Sequence, residues 1–367
     1  MSSFIRGQRA LSQFHPRSNI QRQFHPRLPA TIPRLFSTSA ASHAAKQDST
    51  TVTTPPSTQI DAPASTLPAP LDLPTVLPAN AQTSDKLKRL VTIGRAYLAF
   101  YKTGLKNVYR NYRASLPLRA SLGLPAYIPI SPPRKSSNVS PHKGIDMGRG
   151  QFQLVVRSAR DVRKMIPFTL VLIVCGEFTP LIIPLFGSAI TPATCRVPGQ
   201  VAKERDGASK RKNAAMRAHA RAIEPGALNP VSVGSGEEMR VLAEFASPRW
   251  VKEADKDAVL RACAVFGLVK SHARLGGRAL VGLVYRARLE RHVEYLGIDD
   301  GMIRAGGGVS RLSADEVRIA LDERGAGDVA ALYAGEKVKR AERKWLERWL
   351  DVREGEVKSR TGQSRVL

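Results

Sequence analysis

Acidic residues are missing from the start of this chain. Between Met1 and Gln47 there is no Asp or Glu, while Arg6, Arg9, Arg17, Arg22, Arg27, Arg34 and Lys46 are spread through it. The same stretch has scattered serines and no apolar core, which excludes a secretory leader and predicts a mitochondrial transit peptide over residues 1–36. Cysteine is scarce: Cys175, Cys195 and Cys263 are too far apart for a disulfide framework or a metal-ligand spacing, and Cys175 and Cys263 read as small buried hydrophobes. Catalytic signatures are also absent. The seven histidines show no ligand or triad spacing. Gly306-Gly307-Gly308 lacks the strand and lysine of a phosphate loop, and Asp299-Asp300-Gly301 lacks the alternating acids of a calcium loop. No enzyme activity, metal, cofactor or small-molecule substrate is expected. No run of strand-like alternation competes with helical spacing, so the fold class expected is all-α.

What is present is positive charge, unevenly placed. Up to Gly236 there are 32 Lys/Arg against 10 Asp/Glu; from Glu237 to Glu354 there are 22 against 20. The first part is a polycation suited to anionic lipid or to nucleic acid, and composition alone does not choose between them. Residues 37–84 are rich in Pro, Thr, Ala and Ser and read as a disordered linker. A helix is expected from about Asp85 to Tyr112, within a segment 85–148 that ends in a proline-rich loop. Leu87, Leu90, Val91, Leu98, Tyr101, Leu105 and Val108 recur at helical spacing beside Lys88, Arg95, Lys102, Lys106, Arg110 and Arg113. Two placements stay open for it: flat on an anionic membrane surface, or packed on the rest of the protein.

One stretch is long and apolar enough to cross a bilayer. Within the segment 149–190, an amphipathic helix with Phe152, Val155, Val156, Ala159 and Val162 on one face leads into a span over about 166–187. Pro167 is expected in a new first turn. Pro180 and Pro184 each remove a donor and should kink the span, and Glu177 is an acid within it. Glu177 is either a titrating group for a proton- or cation-linked activity or a neutral acid hydrogen-bonded inside the membrane; a path through single spans would need a homo-oligomer. Basic residues flank both sides, and the greater number after the span leans towards a matrix-facing C-terminal side. Residues 191–236 form a basic juxtamembrane stretch in which Lys210, Arg211, Lys212 and Arg217 are candidate contacts for lipid headgroups or ribosomal RNA phosphate.

Residues 237–354 read as a helical domain, followed by a tail, 355–367. Helices are expected over Ala258–Lys270 and Arg278–Leu296, with Gly297 as a stop and Asp299 capping a short helix to Ile303. Ser313 and Glu316 form a capping box, and that helix ends at Gly325. A last helix from about Glu336 to Leu350 places Trp345 and Trp349 on one face as core anchors.

The segments Arg149-Gly150-Gln151-Phe152 to Arg160-Asp161, Lys164-Met165-Ile166-Pro167-Phe168 and Gly176-Glu177-Phe178-Thr179-Pro180 resemble the membrane segment of the LETM family. Downstream, Arg288 to Leu296 with Asp299-Asp300, Leu312-Ser313-Ala314-Asp315-Glu316, Glu323-Arg324-Gly325 and Trp345 to Leu350 resemble its ribosome-binding domain. Over residues 86–352 the chain looks like a short member without the EF-hand and coiled-coil tail. Gln151 stands where members often carry an acid, and the loop 325–335 is elongated. The resemblance implies a single-pass protein of the mitochondrial inner membrane with a 14-3-3-like helical domain in the matrix, docking the mitochondrial ribosome and supporting membrane-protein insertion or translation. It also implies a link to potassium/proton homeostasis, with potassium ion and proton as partners if Glu177 titrates in exchange.

Overall fold

The computed structural model describes residues 59–75, 78, 82–124, 147–175, 190–224, 232–273 and 276–363. The chain divides into two units; Met1–Thr51 lies outside the described residues, and everything described belongs to the other, Val52–Leu367. Among the described residues the regular structure is helical, with no strand, as the apolar spacing dictates. The transit-peptide reading and the proline-rich loop fall outside the described residues.

Helix α1 runs from Thr83 to Ser121, 39 residues and about 58 Å. It starts two residues before Asp85, which sits in the first turn where its charge faces the free N–H groups. Its buried residues begin at Phe100: Phe100, Tyr101, Gly104, Val108 and Ser115 are buried, whereas towards the N-terminus Tyr97 packs partly, Arg89 donates to the Thr75 carbonyl, and Leu87, Leu90 and Leu98 are exposed. Helix α2, Arg149–Cys175, lies antiparallel to it, with Ser115 opposite Ser158 and Phe100 and Tyr101 packed with Phe168. Pro167 does not begin a helix; it sits inside α2, where it deletes one donor without ending the helix. Every residue from Phe152 to Ala159 is buried. The amphipathic reading of this stretch is therefore corrected: residues 152–159 of α2 form a pillar enclosed on all sides, while the C-terminal part of the helix is partly exposed.

A 3₁₀ turn at Ala193–Cys195 and the adjoining Val197 seal the α1–α2 pair, and Gly104 permits the close approach, since a Cβ there would lie 2.8 Å from the Thr194 carbonyl oxygen. Helix α3, Pro198–Ile223, begins with proline at its first position, where the missing N–H does no harm. The head follows as α4 (Gly236–Phe245), α5 (Pro248–Glu253), α6 (Lys256–Val265), α7 (Gly277–Leu280), a π-helical stretch (Val281–Tyr285), α8 (Arg286–Ala305), α9 (Ala314–Glu323) and α10 (Glu336–Gln363). Ser235, Asp255 and Ser313 cap α4, α6 and α9 with side-chain oxygens. Trp345 and Trp349 are fully buried and stacked, centroids 5.6 Å apart, at the centre of a core that also takes Phe152 and Val156 of α2.

Three sequence expectations change here. Gly297 does not stop a helix and Asp299 does not cap one; α8 continues through both to Ala305, because both acids of Asp299-Asp300 are buried ion partners rather than caps. Glu316 does not close the capping box: its carboxylate turns inward, away from the Ser313 N–H. The linker read as disordered is ordered over residues 59–75, with Ala62 and Thr66 buried. This strap is held by Gly150 N–H to the Gln59 carbonyl (3.0 Å), by the Ser313 N–H to the Asp61 carboxylate (3.1 Å) and by Ser65 to Asn111 (2.6 Å).

Candidate functional site

The N-terminal half of α2 carries Arg149, Gln153 and Arg157 at intervals of four, one ladder on one side of the helix. All three are buried, and each meets an acid-bearing element of the head. Arg149 donates from Nε to Asp299 Oδ1 (2.8 Å) and from Nη1 to Glu316 Oε2 (2.9 Å). Arg157 makes a bidentate pair with Glu316, 2.7 and 2.8 Å, and also donates to Thr66 of the strap (3.1 Å). Gln153 donates to Asp299 Oδ1 (2.7 Å) and to the Tyr295 hydroxyl (2.9 Å). One turn further, Arg160 pairs with Glu323 (2.5 Å) and lies over the Tyr295 ring, and Tyr295 donates to the same Glu323.

Behind this layer, Arg324 donates to Asp299 (2.9 Å) and Asp300 (2.6 Å), and Trp349 Nε1 donates to Asp300 (3.1 Å). Thus one connected set of charges joins α2, the strap, α8, α9 and α10. Burial alone would raise the Asp299 carboxyl, but Arg149 and Arg324 outweigh it and hold Asp299 well below the usual carboxylate range. Burial likewise pushes Glu323 up, and Arg160 reverses it to a net lowering. His292, whose Nε2 lies 2.9 Å from the Glu323 carbonyl oxygen, is pushed down to about 4, chiefly by burial.

The family-motif residues separate into two groups. Arg160, Asp299, Asp300, Glu316 and Arg324 come together in the ion network; Ser313 caps α9 at its edge, and Gly325 adopts φ 73° at the α9 C-terminus, where a Cβ would press on Val265. Asp161 stands apart. It accepts from the Ala193 N–H (2.7 Å) and so pins the chain where it leaves the apolar segment. Phe168 is buried against Phe100 and Tyr101, and Pro167 precedes it in the same helix. Glu177, Pro180 and Pro184 lie outside the described residues.

The candidate contact cluster on α3 does not act as one patch. Arg217 is exposed, Lys210 is exposed and pairs with Asp206, and Arg211 is half-buried. Lys212 is corrected from surface contact to core ion: it is buried and held by Glu238 (2.6 Å) and Asp328 (2.7 Å). The exposed cations of α3 are Lys203, Lys210, Arg217 and Arg221, the first three at intervals of seven.

Sequence reading missed Arg149, Gln153, Arg157, Tyr295 and Glu323 as partners. The available signal was the four-residue ladder of long polar side chains, set against unmatched acids in the head. Cys195 and Cys263 are buried, and burial pushes each thiol up to about 12, which makes both poor nucleophiles. Among the described residues no group of His, Cys, Asp or Glu is placed to hold a metal ion. The arrangement is mechanical: it fixes the pillar rigidly in the head. Comparison with known proteins returned no matching family model, curated protein or solved structure.

Proposed function

We propose that the chain is an adaptor of the mitochondrial inner membrane, with segment 166–187 in the bilayer and the helical head binding the mitochondrial ribosome in the matrix. The observation that carries this reading is the burial of α2. The helix that runs towards the apolar segment is buried from Phe152 to Ala159 and is bound to the head by ion pairs from Arg149, Arg157 and Arg160. A head built around its own membrane stalk keeps a fixed attitude to the bilayer, which an adaptor positioning a ribosome at a membrane requires. The resemblance to the LETM family supports the partner and the compartment. No helix among the described residues is long and apolar enough to cross a membrane; α2 is described to Cys175, and the remainder of 166–187 lies outside.

The exposed cations of α3 supply the ribosome contact in this reading, through phosphate. The test is cosedimentation of the full chain with mitochondrial ribosomes in rising salt. Binding falls with salt, and it falls by about 10-fold or more when Lys203, Lys210, Arg217 and Arg221 are changed to Gln. Unchanged cosedimentation of that variant removes α3 as the contact. Release of the protein by alkaline carbonate removes the stalk.

A further inference from the structure

The apolar stripe of α1 continues past the point where its packing ends. Tyr101, Gly104 and Val108 of the stripe are buried, while Leu87, Leu90 and Leu98 on the same side are 63%, 66% and 61% exposed, with Val91 beside them. Along one flank run Lys88, Arg95, Lys102, Lys106, Arg110 and Arg113, a ridge about 38 Å long and exposed at every position. Its only acidic neighbour in α1 is Asp85, which lies 3.9 Å from Lys88. Tyr109, also exposed, sits between stripe and ridge. The antiparallel partner shows the same change at the same end. Phe168 faces inward, whereas Ile166, Leu170, Ile173 and Val174 on the other side of α2 are exposed, Val174 by 83%. Two apolar surfaces and the Lys88–Lys102 part of a line of cations with one acidic neighbour in α1 thus share one end of the α1–α2 pair.

A water-facing helix has no use for the leucines, and nucleic acid would use the ridge but not the leucines. An anionic bilayer satisfies both, since acyl chains take the apolar stripe and lipid phosphates take the ridge. We propose that residues 83–99 of α1 form a second membrane contact, lying in the headgroup layer of an anionic phospholipid bilayer with Leu87, Leu90, Val91 and Leu98 inward and Lys88, Arg95 and Lys102 on lipid phosphate. The contact shares its bilayer with the stalk proposed above, yet it depends on lipid charge, as a spanning segment does not.

The experiment is hydrogen exchange on the full chain, first in detergent and then with vesicles of phosphatidylcholine alone or with added phosphatidylglycerol. Amides of residues 84–99 slow by about tenfold or more only with phosphatidylglycerol, while those of 101–115 stay constant. The combined variant Lys88→Glu, Arg95→Glu, Lys102→Glu weakens this effect by about a hundredfold, and Leu90→Asn weakens it separately. All four positions are exposed, so these variants keep the fold. Equal exchange in the two lipids overturns the proposal. So does slow exchange already in detergent, whether it grows with protein concentration (a second copy covers the stripe) or not (another segment of the chain does). Slowing by added ribosomal RNA without vesicles overturns it as well. Carbonate extraction separates the two readings: the charge-reversed variant stays in the membrane through the stalk while losing the exchange effect. Conversely, a wild-type chain that carbonate releases, but that still slows with phosphatidylglycerol, retains the α1 contact without the stalk.

Discussion

Glu316 ties α2 to α9 within the network. It accepts from two guanidiniums, Arg149 and Arg157, and its side chain is 1% exposed. Replacing both cations and the acid together by apolar groups would be nearly neutral in principle, but removing the acid alone takes the carboxylate partner from the buried Arg157 and leaves Arg149 with that of Asp299 alone. Glu316→Gln keeps the volume and loses the charge. It is expected to cost about 3–5 kcal/mol, read as a lowered urea midpoint with unchanged slope. Asp315, next to it in sequence but exposed, is the control: Asp315→Asn should shift stability by no more than about 0.5 kcal/mol. Lys212 belongs with Glu316 rather than with the surface lysines. Loss of ribosome binding on neutralising it would report unfolding around Glu238 and Asp328.

Among the elements, α2 and the strap show where the sequence was legible and where it was not. Helical periodicity located α1, α2, α9 and α10, because each carries apolar residues at helical spacing. The same logic hid the role of α2. Its arginines lie mostly off the apolar face, and pattern alone cannot tell a cation meeting water from one meeting an acid more than 140 residues away. It also put a stop at Gly297, because the local cost of glycine in a helix is small beside the burial of Leu296 and Asp299 on either side. The strap was illegible for a related reason: a proline-rich segment has no core of its own and is ordered by surfaces that fold elsewhere. Its seat is Gly150. A Cβ there would lie 2.3 Å from the Asp61 carbonyl oxygen and 2.8 Å from that of Gln59, so only glycine admits the strap. Gly150→Ala should displace residues 59–67 and cost about 1–3 kcal/mol. Faster hydrogen exchange at Gly150 and Ser313, the two amides the strap occupies, would register the displacement.

Over the whole molecule, acid should loosen the fold in two steps. The His292 imidazole is pushed down to about 4 in the folded chain against about 6.5 when unfolded. Between those values the unfolded state binds the extra proton, so stability present above about pH 6.5 is lost as pH falls towards 4, by on the order of 3 kcal/mol. Asp299 and Glu323 are lowered, so the stability they bring is present above the ordinary carboxylate range and is lost only below it. Urea midpoints measured from pH 7 to 4 should decline, and His292→Gln should flatten that slope without altering the loss below pH 4. A decline of equal slope in the variant would assign the first step to another group.

The pairing of Asp61 with Ser313 joins positions 252 residues apart, and Arg149 waits 167 residues for Glu316. A chain emerging from its N-terminus, at the ribosome or through a translocation channel, therefore delivers the cationic rungs of the pillar long before the acids that neutralise them. Contacts of such separation form slowly and leave the early part exposed meanwhile. Until Arg324 has arrived, the buried part of α2 has no finished head around it, so the interval in which chaperones would be needed ends only with the last third of the polypeptide.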